Sequence, residues 1–267
     1  MAVPIERHHE VRILRLESSH LSVFLYSLHG LLIDTGFTRR REAVLAFVRE
    51  VKPSHAIVTH HHEDHSGNVA GVAALGLHVW APRLAIEPIE AGFPVELYRR
   101  RIWGLPDHAR CEEIPASWRA GALDVHAVPA PGHSEDMTVL HIPERGWLFS
   151  GDLFIARRLK ALRHDEDPNA LIASLDRALA LDFNTLFCAH RGVVQDGRAQ
   201  LRAKRDHLVA VRQQIHELAG RGLTPREITR SVFGRESYLY YSTLGGFSAI
   251  NFTRKFLASR GAGGSAR

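Results

Sequence analysis

Seven residues of this 267-residue chain have the types and spacing of metal ligands: His60, His62, Asp64 and His65 in one run, then His133, Asp152 and His190. Each group follows a short apolar stretch that reads as a β-strand, at residues 56–59, 123–128, 147–149 and 185–188. Donors offered from strand ends converge on one sheet edge, where a stiff backbone fixes their geometry. Five imidazoles and two carboxylates exceed the needs of one tetrahedral ion, whereas two borderline-soft divalent ions sharing a bridging carboxylate use all seven. In an irregular loop His60 and His62, at i and i+2, point to one side. Asp64 and His65 lie one step further round, within reach of a neighbouring ion, and His61 and Glu63 then face away. Cys111 and Cys188 have no CxxC spacing, so neither a disulfide framework nor a Cys-rich zinc site is available.

The elements that must hold these loops alternate in type. Strands are expected at residues 11–16, 22–28 and 31–34, the last two joined by the turn Leu28-His29-Gly30. A helix with Thr38 as N-cap and Ala43, Phe47 and Val51 on one face runs to residue 51, where Pro53 stops it. Residues 69–75 read as a further helix, 78–83 and 137–142 as strands, and 84–120 as mixed helix and loop punctuated by prolines. Asp167 and Pro168 open a helix over 168–181. Beyond residue 197 the pattern changes: Leu201, Leu208, Val211, Ile215 and Leu218 form one apolar stripe of a long helix closed by Gly220 and Gly222, Thr224 starts a second helix, and 243–258 suit a third. The tail after Gly261 is rich in Gly, Ser and Ala and is expected to fray. The expected fold class is α/β, a layered body over residues 1–197 with a basic helical region over 198–267.

Five segments carry a family resemblance: Ile33-Asp34-Thr35-Gly36, the run from Thr59 to Asn68, Pro131-Gly132-His133-Ser134, Ser150-Gly151-Asp152 and Ala189-His190-Arg191-Gly192. In order, they resemble the five motifs of the metallo-beta-lactamase superfamily over roughly residues 10–200. The resemblance implies an αββα sandwich with a dinuclear site at one edge of two sheets. It implies His60, His62 and His133 around the first ion, Asp64, His65 and His190 around the second, and Asp152 bridging. Asp34 takes the position that supports the site from below without ligating. His62 stands where the di-iron flavoprotein branch has Glu, and neither cysteine is at a ligand position of the cysteine-using lactamases. Cys188-Ala189-His190-Arg191-Gly192 also departs from the Gly-His-Glu-Tyr usual in glyoxalase II-like proteins, which argues against glyoxalase II specifically.

The chemistry expected is hydrolysis by a hydroxide bridging two divalent ions, zinc by preference, with iron or manganese equally suited to imidazole and carboxylate donors. Asp64 is the expected catalytic residue, orienting the nucleophile and relaying its proton. No GxSxG, GxxxxGK or GxGxxG occurs, which makes covalent serine catalysis and nucleoside-triphosphate chemistry poor competitors. Phe37, Leu153, Phe154 and Arg191 are candidates for the cleft walls, and Tyr238, Leu239, Tyr240 and Tyr241 are expected to pack the helical region on the body.

Formal charge is +5, but 13 basic residues face 4 acidic ones from Arg198 onward, leaving 21 against 25 before it. Arg198, Arg202, Arg205 and Arg212 lie on the long helix opposite its apolar stripe. They suit steering of an anionic small molecule such as an acyl-CoA, or an RNA backbone. A small ester, thioester or lactone is therefore the first substrate reading, RNA phosphodiester cleavage the alternative, and a non-catalytic ligand binder the third. With 30 Arg to 4 Lys, the arginines also reflect a general compositional bias. No apolar run approaches the roughly 18 residues of a membrane span, and residues 1–7 lack a secretory apolar segment. A cytoplasmic protein without a membrane partner is expected, its oligomeric state open.

Overall fold

His29 and Gly30 both take positive φ (43° and 81°), the geometry of a two-residue turn that matches strand twist, and they join the strands Leu21–Leu28 and Leu31–Ile33 as expected. In the computed structural model, which describes residues 4–19 and 21–262, this hairpin belongs to the first of two units: the described parts of Met1–Pro129, with Glu135–Ile155 and Asp182–Gly197. Its first sheet runs, in order, β1 (Ile5–His8), β2 (Val11–Ser18), β3 (Leu21–Leu28), β4 (Leu31–Ile33), β5 (His55–Ile57), β6 (His78–Ala81) and β7 (Glu112–Glu113). Strands β1 to β4 form an antiparallel meander, and β4 to β7 are parallel. Parallel neighbours need crossovers. These contain α1 (Arg41–Val51), α2 (Val69–Ala74), and α3 (Arg83–Ala91) with α4 (Leu97–Trp103).

The second sheet takes β8 (Ser117–Ala120), β9 (Leu123–Pro129), β10 (Thr138–Ile142) and β11 (Trp147–Phe149). β12 (Leu162–Arg163) lies in the other unit, and β13 (Thr185–Cys188) and β14 (Gly192–Val194) complete the sheet. Side chains alternate across each strand. On β3, Val23 and Leu25 join Val44, Phe47 and Val48 of α1 and Trp103 of α4 in one buried cluster, while Tyr26 and Leu28 join Ile57, Leu140, Phe149 and Phe187 in another, between the two sheets. Helices, sheet and sheet thus stack within this unit.

Two local expectations change. Thr38 does not cap α1: it begins a 3-10 turn, Thr38–Arg40, and its hydroxyl donates to the Trp103 carbonyl instead. The buried face of α1 is Val44, Phe47 and Val48 rather than Ala43, Phe47 and Val51.

The second unit comprises Ala130–Ser134, Ala156–Leu181 and the described part of Arg198–Arg267. The chain therefore passes between units at residues 129, 134, 155 and 181 as well as at 197. Asp167 caps α5 (Pro168–Ala180), accepting from the Asn169 and Ala170 amides. α6 (Gly197–Gly220) buries Leu201, Leu208, Val211 and Ile215, the expected stripe. Thr224 and Glu227 close a capping box on α7 (Pro225–Phe233). α8 (Tyr238–Ser242), β15 (Phe247–Ser248) and α9 (Ala249–Ala262) follow, with Phe233 stacked on Phe252. Arg198 donates to the Leu181 and Leu179 carbonyls, and Arg205 pairs with Asp176 and Asp206. These arginines fasten α6 to the end of α5. Tyr238 and Tyr241 are 81% and 68% exposed, which corrects the expectation that this cluster packs. Residues 263–267 of the tail lie outside the described residues. Among those described, no helix is long and apolar enough to cross a membrane.

Candidate metal centre

β4 ends at Ile33, and Asp34 turns the chain with φ 61° while its amide donates to the Ile57 carbonyl. Its buried carboxylate then organises the next loop. Oδ1 accepts from the Thr59 amide (2.8 Å) and hydroxyl (2.9 Å), and Oδ2 accepts from His65 Nδ1 (2.8 Å). With its proton given to Asp34, the Thr59 hydroxyl accepts from His60 Nδ1 (3.1 Å). The loop turns tightly because the His65 and Ser66 amides both donate to the His62 carbonyl. Gly67 permits the approach of neighbouring chain: a Cβ there would stand 2.5 Å from the Glu63 and Gly36 carbonyl oxygens.

Each Nδ1 so engaged leaves its Nε2 aimed inward. His65 Nε2 is buried without a hydrogen-bond partner, 3.7 Å from Asp64 Oδ2 and 3.5 Å from Asp152 Oδ1. His190, delivered by β13 beside the parallel β11, donates Nδ1–H to the Ser22 carbonyl (2.8 Å). Its Nε2 lies 3.2 Å from Asp152 Oδ1 and 3.5 Å from Asp64 Oδ2. Asp152 itself sits in the 3-10 turn Gly151–Leu153 after β11. His60 Nε2 and His62 Nδ1 are 2.9 Å apart. Two groups in this unit, His60 with His65 and Asp152, and Asp64 with His65 and His190, have their donor atoms within 4.8 Å of one another.

Those separations test whether cations fit. Donors about 2.0–2.1 Å from a tetrahedral ion stand roughly 3.3 Å apart, which the 3.2–3.7 Å spacings around His65 and His190 approach. Hydrogen bonding of the remote imidazole nitrogen is the arrangement that orients metal-bound histidines. The protonation behaviour agrees. Burial lowers the pKa of His190, yet Asp152 and Asp64 outweigh it and hold the group up to about 9. His65, likewise opposed by burial, is raised by Asp34, Asp64 and Asp152. Carboxylates concentrated here demand positive charge, and protons or divalent cations can answer.

His61 and Glu63 are bound elsewhere. The His61 amide and Nδ1 both donate to Asp136 Oδ2, and Glu63 forms a buried two-pronged pair with Arg99 of α4, both bonds 2.6 Å. His133 is carried by the second unit, where its Nδ1 donates to Glu166 Oε1 at 2.7 Å. Asp136, Arg99 and Glu166 lie in no motif, so the sequence alone does not single them out. Of the wall candidates, Phe37 is core, fully buried with its ring 4.8 Å from Trp103, and Leu153 and Phe154 are buried too. Arg191 is exposed and its Nε donates to the Ile155 carbonyl. Trp103, 6.5 Å ring to ring from His190, is an aromatic neighbour that no sequence spacing signals.

Residues 20–190 match the metallo-beta-lactamase superfamily. The chain belongs to that superfamily. A hydroxyacylglutathione hydrolase from Pseudomonas aeruginosa is 31% identical over 188 residues, 69% of this chain and 65% of that one. An atrochrysone carboxyl ACP thioesterase from Claviceps purpurea is 22% identical over 219 residues, 77% and 64% of the two chains. The chain spans between about half and two thirds of the length of the curated relatives it matches. Among solved structures, a beta-lactamase domain protein from Burkholderia ambifaria superposes with a TM-score of 0.72 at 18% identity, over 96% of this chain and 90% of that one. The metallo-beta-lactamase fold, expected as an αββα sandwich with C-terminal helices, is therefore the fold of this chain.

Proposed function

We propose that this superfamily member is a hydrolase dependent on two divalent metal ions, acting on a small thioester. The observation that carries the reading is the convergence of Asp64, His65, His190, His60 and Asp152 with the remote nitrogens of three histidines already engaged. In the proposed assignment His60, His62 and His133 hold one ion, Asp64, His65 and His190 the other, and Asp152 bridges. Zinc is the proposed metal. Bound cations of this kind lower the pKa of water and take up charge on a developing oxyanion or leaving group. The residues supply the rest. Asp64, buried beside His65 and His190, orients the attacking water and takes its proton. Asp34 and the Ser22 carbonyl hold the Nδ1–H of two imidazoles, which leaves Nε2 as the ligating atom of each. The names of the two relatives share one chemistry, thioester cleavage, which favours a thioester over an ester or lactone.

RNA as substrate rested on the basic face of α6. Arg198 and Arg205 are committed to carbonyls and carboxylates, which weakens their use in steering either kind of anion, so the small-molecule reading is supported by the chemistry named in the relatives. The test is a panel of acyl thioesters, lactones, β-lactams, phosphodiesters and RNA with zinc-loaded protein. Thioesters should be turned over with kcat/KM at least tenfold above every other class. Cleavage of RNA in preference, or no hydrolysis at all, would overturn the proposal.

A further inference from the structure

His133 is held by a different part of the chain from the other proposed ligands. Its loop, Ala130–Ser134, is fastened to the start of α5 inside the second unit. The Asp167 amide donates to the Gly132 carbonyl (2.8 Å) and the Ser174 hydroxyl to the Pro131 carbonyl (2.7 Å). Gly132, at φ 136°, comes so close to α5 that a Cβ would stand 2.4 Å from the Leu171 amide nitrogen. Glu166 completes the attachment. Its carboxylate, buried like His133, accepts from His133 Nδ1 at 2.7 Å through Oε1 and from the Arg163 amide at 2.9 Å through Oε2.

A neutral imidazole carries one N–H, and an ionised carboxylate can only accept. A carboxylate fixed at Nδ1 therefore places the proton there, so that Nε2 carries the lone pair that can ligate a cation, with greater basicity. Asp34 does the same for His65. Two other anchors are weaker acceptors: the Ser22 carbonyl for His190 and the Thr59 hydroxyl for His60. Under the proposed assignment, a carboxylate backs an imidazole at each ion.

We propose that Glu166 is a positioning residue for the first metal position, fixing His133 as the Nδ1–H tautomer so that Nε2 is the ligating atom. The proposal rests on the dinuclear reading above. It assigns metal affinity to a residue of the β12–α5 turn that bears no recognisable motif. Loss of Glu166 weakens one ion and spares the other, because Asp34 acts on the other triad.

The experiment compares wild type, Glu166→Ala and Glu166→Gln, each checked for folding by circular dichroism. Zinc affinity is measured by chelator competition, and the His133 tautomer by long-range proton–nitrogen correlation in the metal-free protein. Wild type should bind two ions and show Nδ1–H at His133. Glu166→Ala should lose 10- to 100-fold in affinity for one ion with the other unchanged, and its His133 should become a tautomer mixture. In Glu166→Gln a single amide oxygen can serve only one of the two donors, so it should fall between the other two. A folded Glu166→Ala with both affinities within twofold of wild type and an intact Nδ1–H would overturn the proposal. Should Glu166→Ala fail to fold, Glu166→Leu, which offers no acceptor, is judged by the same criteria. A wild type that binds fewer than two ions overturns the dinuclear reading instead, while the tautomer measurement still decides whether Glu166 controls His133.

Discussion

The loop over residues 59–68 and the loop Ala130–Ser134 both present histidines, and they are braced in different ways. The first is held from several sides within its own unit: by Asp34 through Thr59 and His65, by Arg99 through Glu63, and by Asp136 through His61. The second is fastened within its own unit to α5 and the residues just before it, through Glu166, Asp167, Leu171 and Ser174. Each has a carboxylate behind an imidazole, and the two are almost equally remote in sequence, 31 positions for Asp34 and His65 and 33 for His133 and Glu166.

The largest effect should come from the residue proposed to serve both ions. Asp152→Ala should lower hydrolysis by at least about 10³-fold, since charge stabilisation by bound cations is worth several kcal/mol, and should reduce bound metal. Steady-state rates with metal analysis check this, and retained full activity would remove Asp152 from the site. Behind the first loop, Arg99→Ala on α4 leaves buried Glu63 without its guanidinium partner. Breaking a buried pair costs about 3–5 kcal/mol, read as a lower denaturation midpoint. In the second, Gly132→Ala meets both an unfavourable φ and the α5 backbone, at a cost of roughly 1–3 kcal/mol, and should weaken one ion while the other stays bound. Loss of both ions together would mean the loops are not independent.

A further effect concerns protons. His190 in the metal-free protein is held up to about 9, burial opposing and Asp152 and Asp64 prevailing. A folded-state pKa above the unfolded value stabilises the protein fully below about pH 6.5, and that contribution is lost as pH rises through about 9. The melting temperature of metal-free protein should therefore fall between pH 7 and 10, while that of the zinc-loaded protein should not fall with it. A flat metal-free curve would show that the carboxylates do not act on His190.

The site loops were legible because a local chemical pattern announced them. His60, His62, Asp64 and His65 are neighbours in sequence, and β11 and β13 stand at Trp147–Phe149 and Thr185–Cys188 as their apolar runs suggested. Asp34 was found because Asp34-Thr35-Gly36 is itself a motif. Glu166 was missed at a similar separation because nothing in residues 160–167 marks it. Distance was not the obstacle. Phe37 had the composition of a cleft wall, but its packing on Trp103 is a tertiary fact. Thr38 had the identity of a cap, and its hydroxyl found the Trp103 carbonyl instead. Residues 84–120 were hard to divide because Pro88 lies inside α3, where proline ordinarily signals a break. The tyrosines near residue 240 looked like packing residues, but hydrophobicity alone does not bury a side chain.

If the loop over residues 59–68 and the loop Ala130–Ser134 supply ligands for two ions, metal stoichiometry will show it. Protein purified without chelator and titrated with zinc should hold two ions per chain by elemental analysis, falling to one in Glu166→Ala under limiting zinc. One ion or none in the wild type, under saturating zinc, would contradict the account.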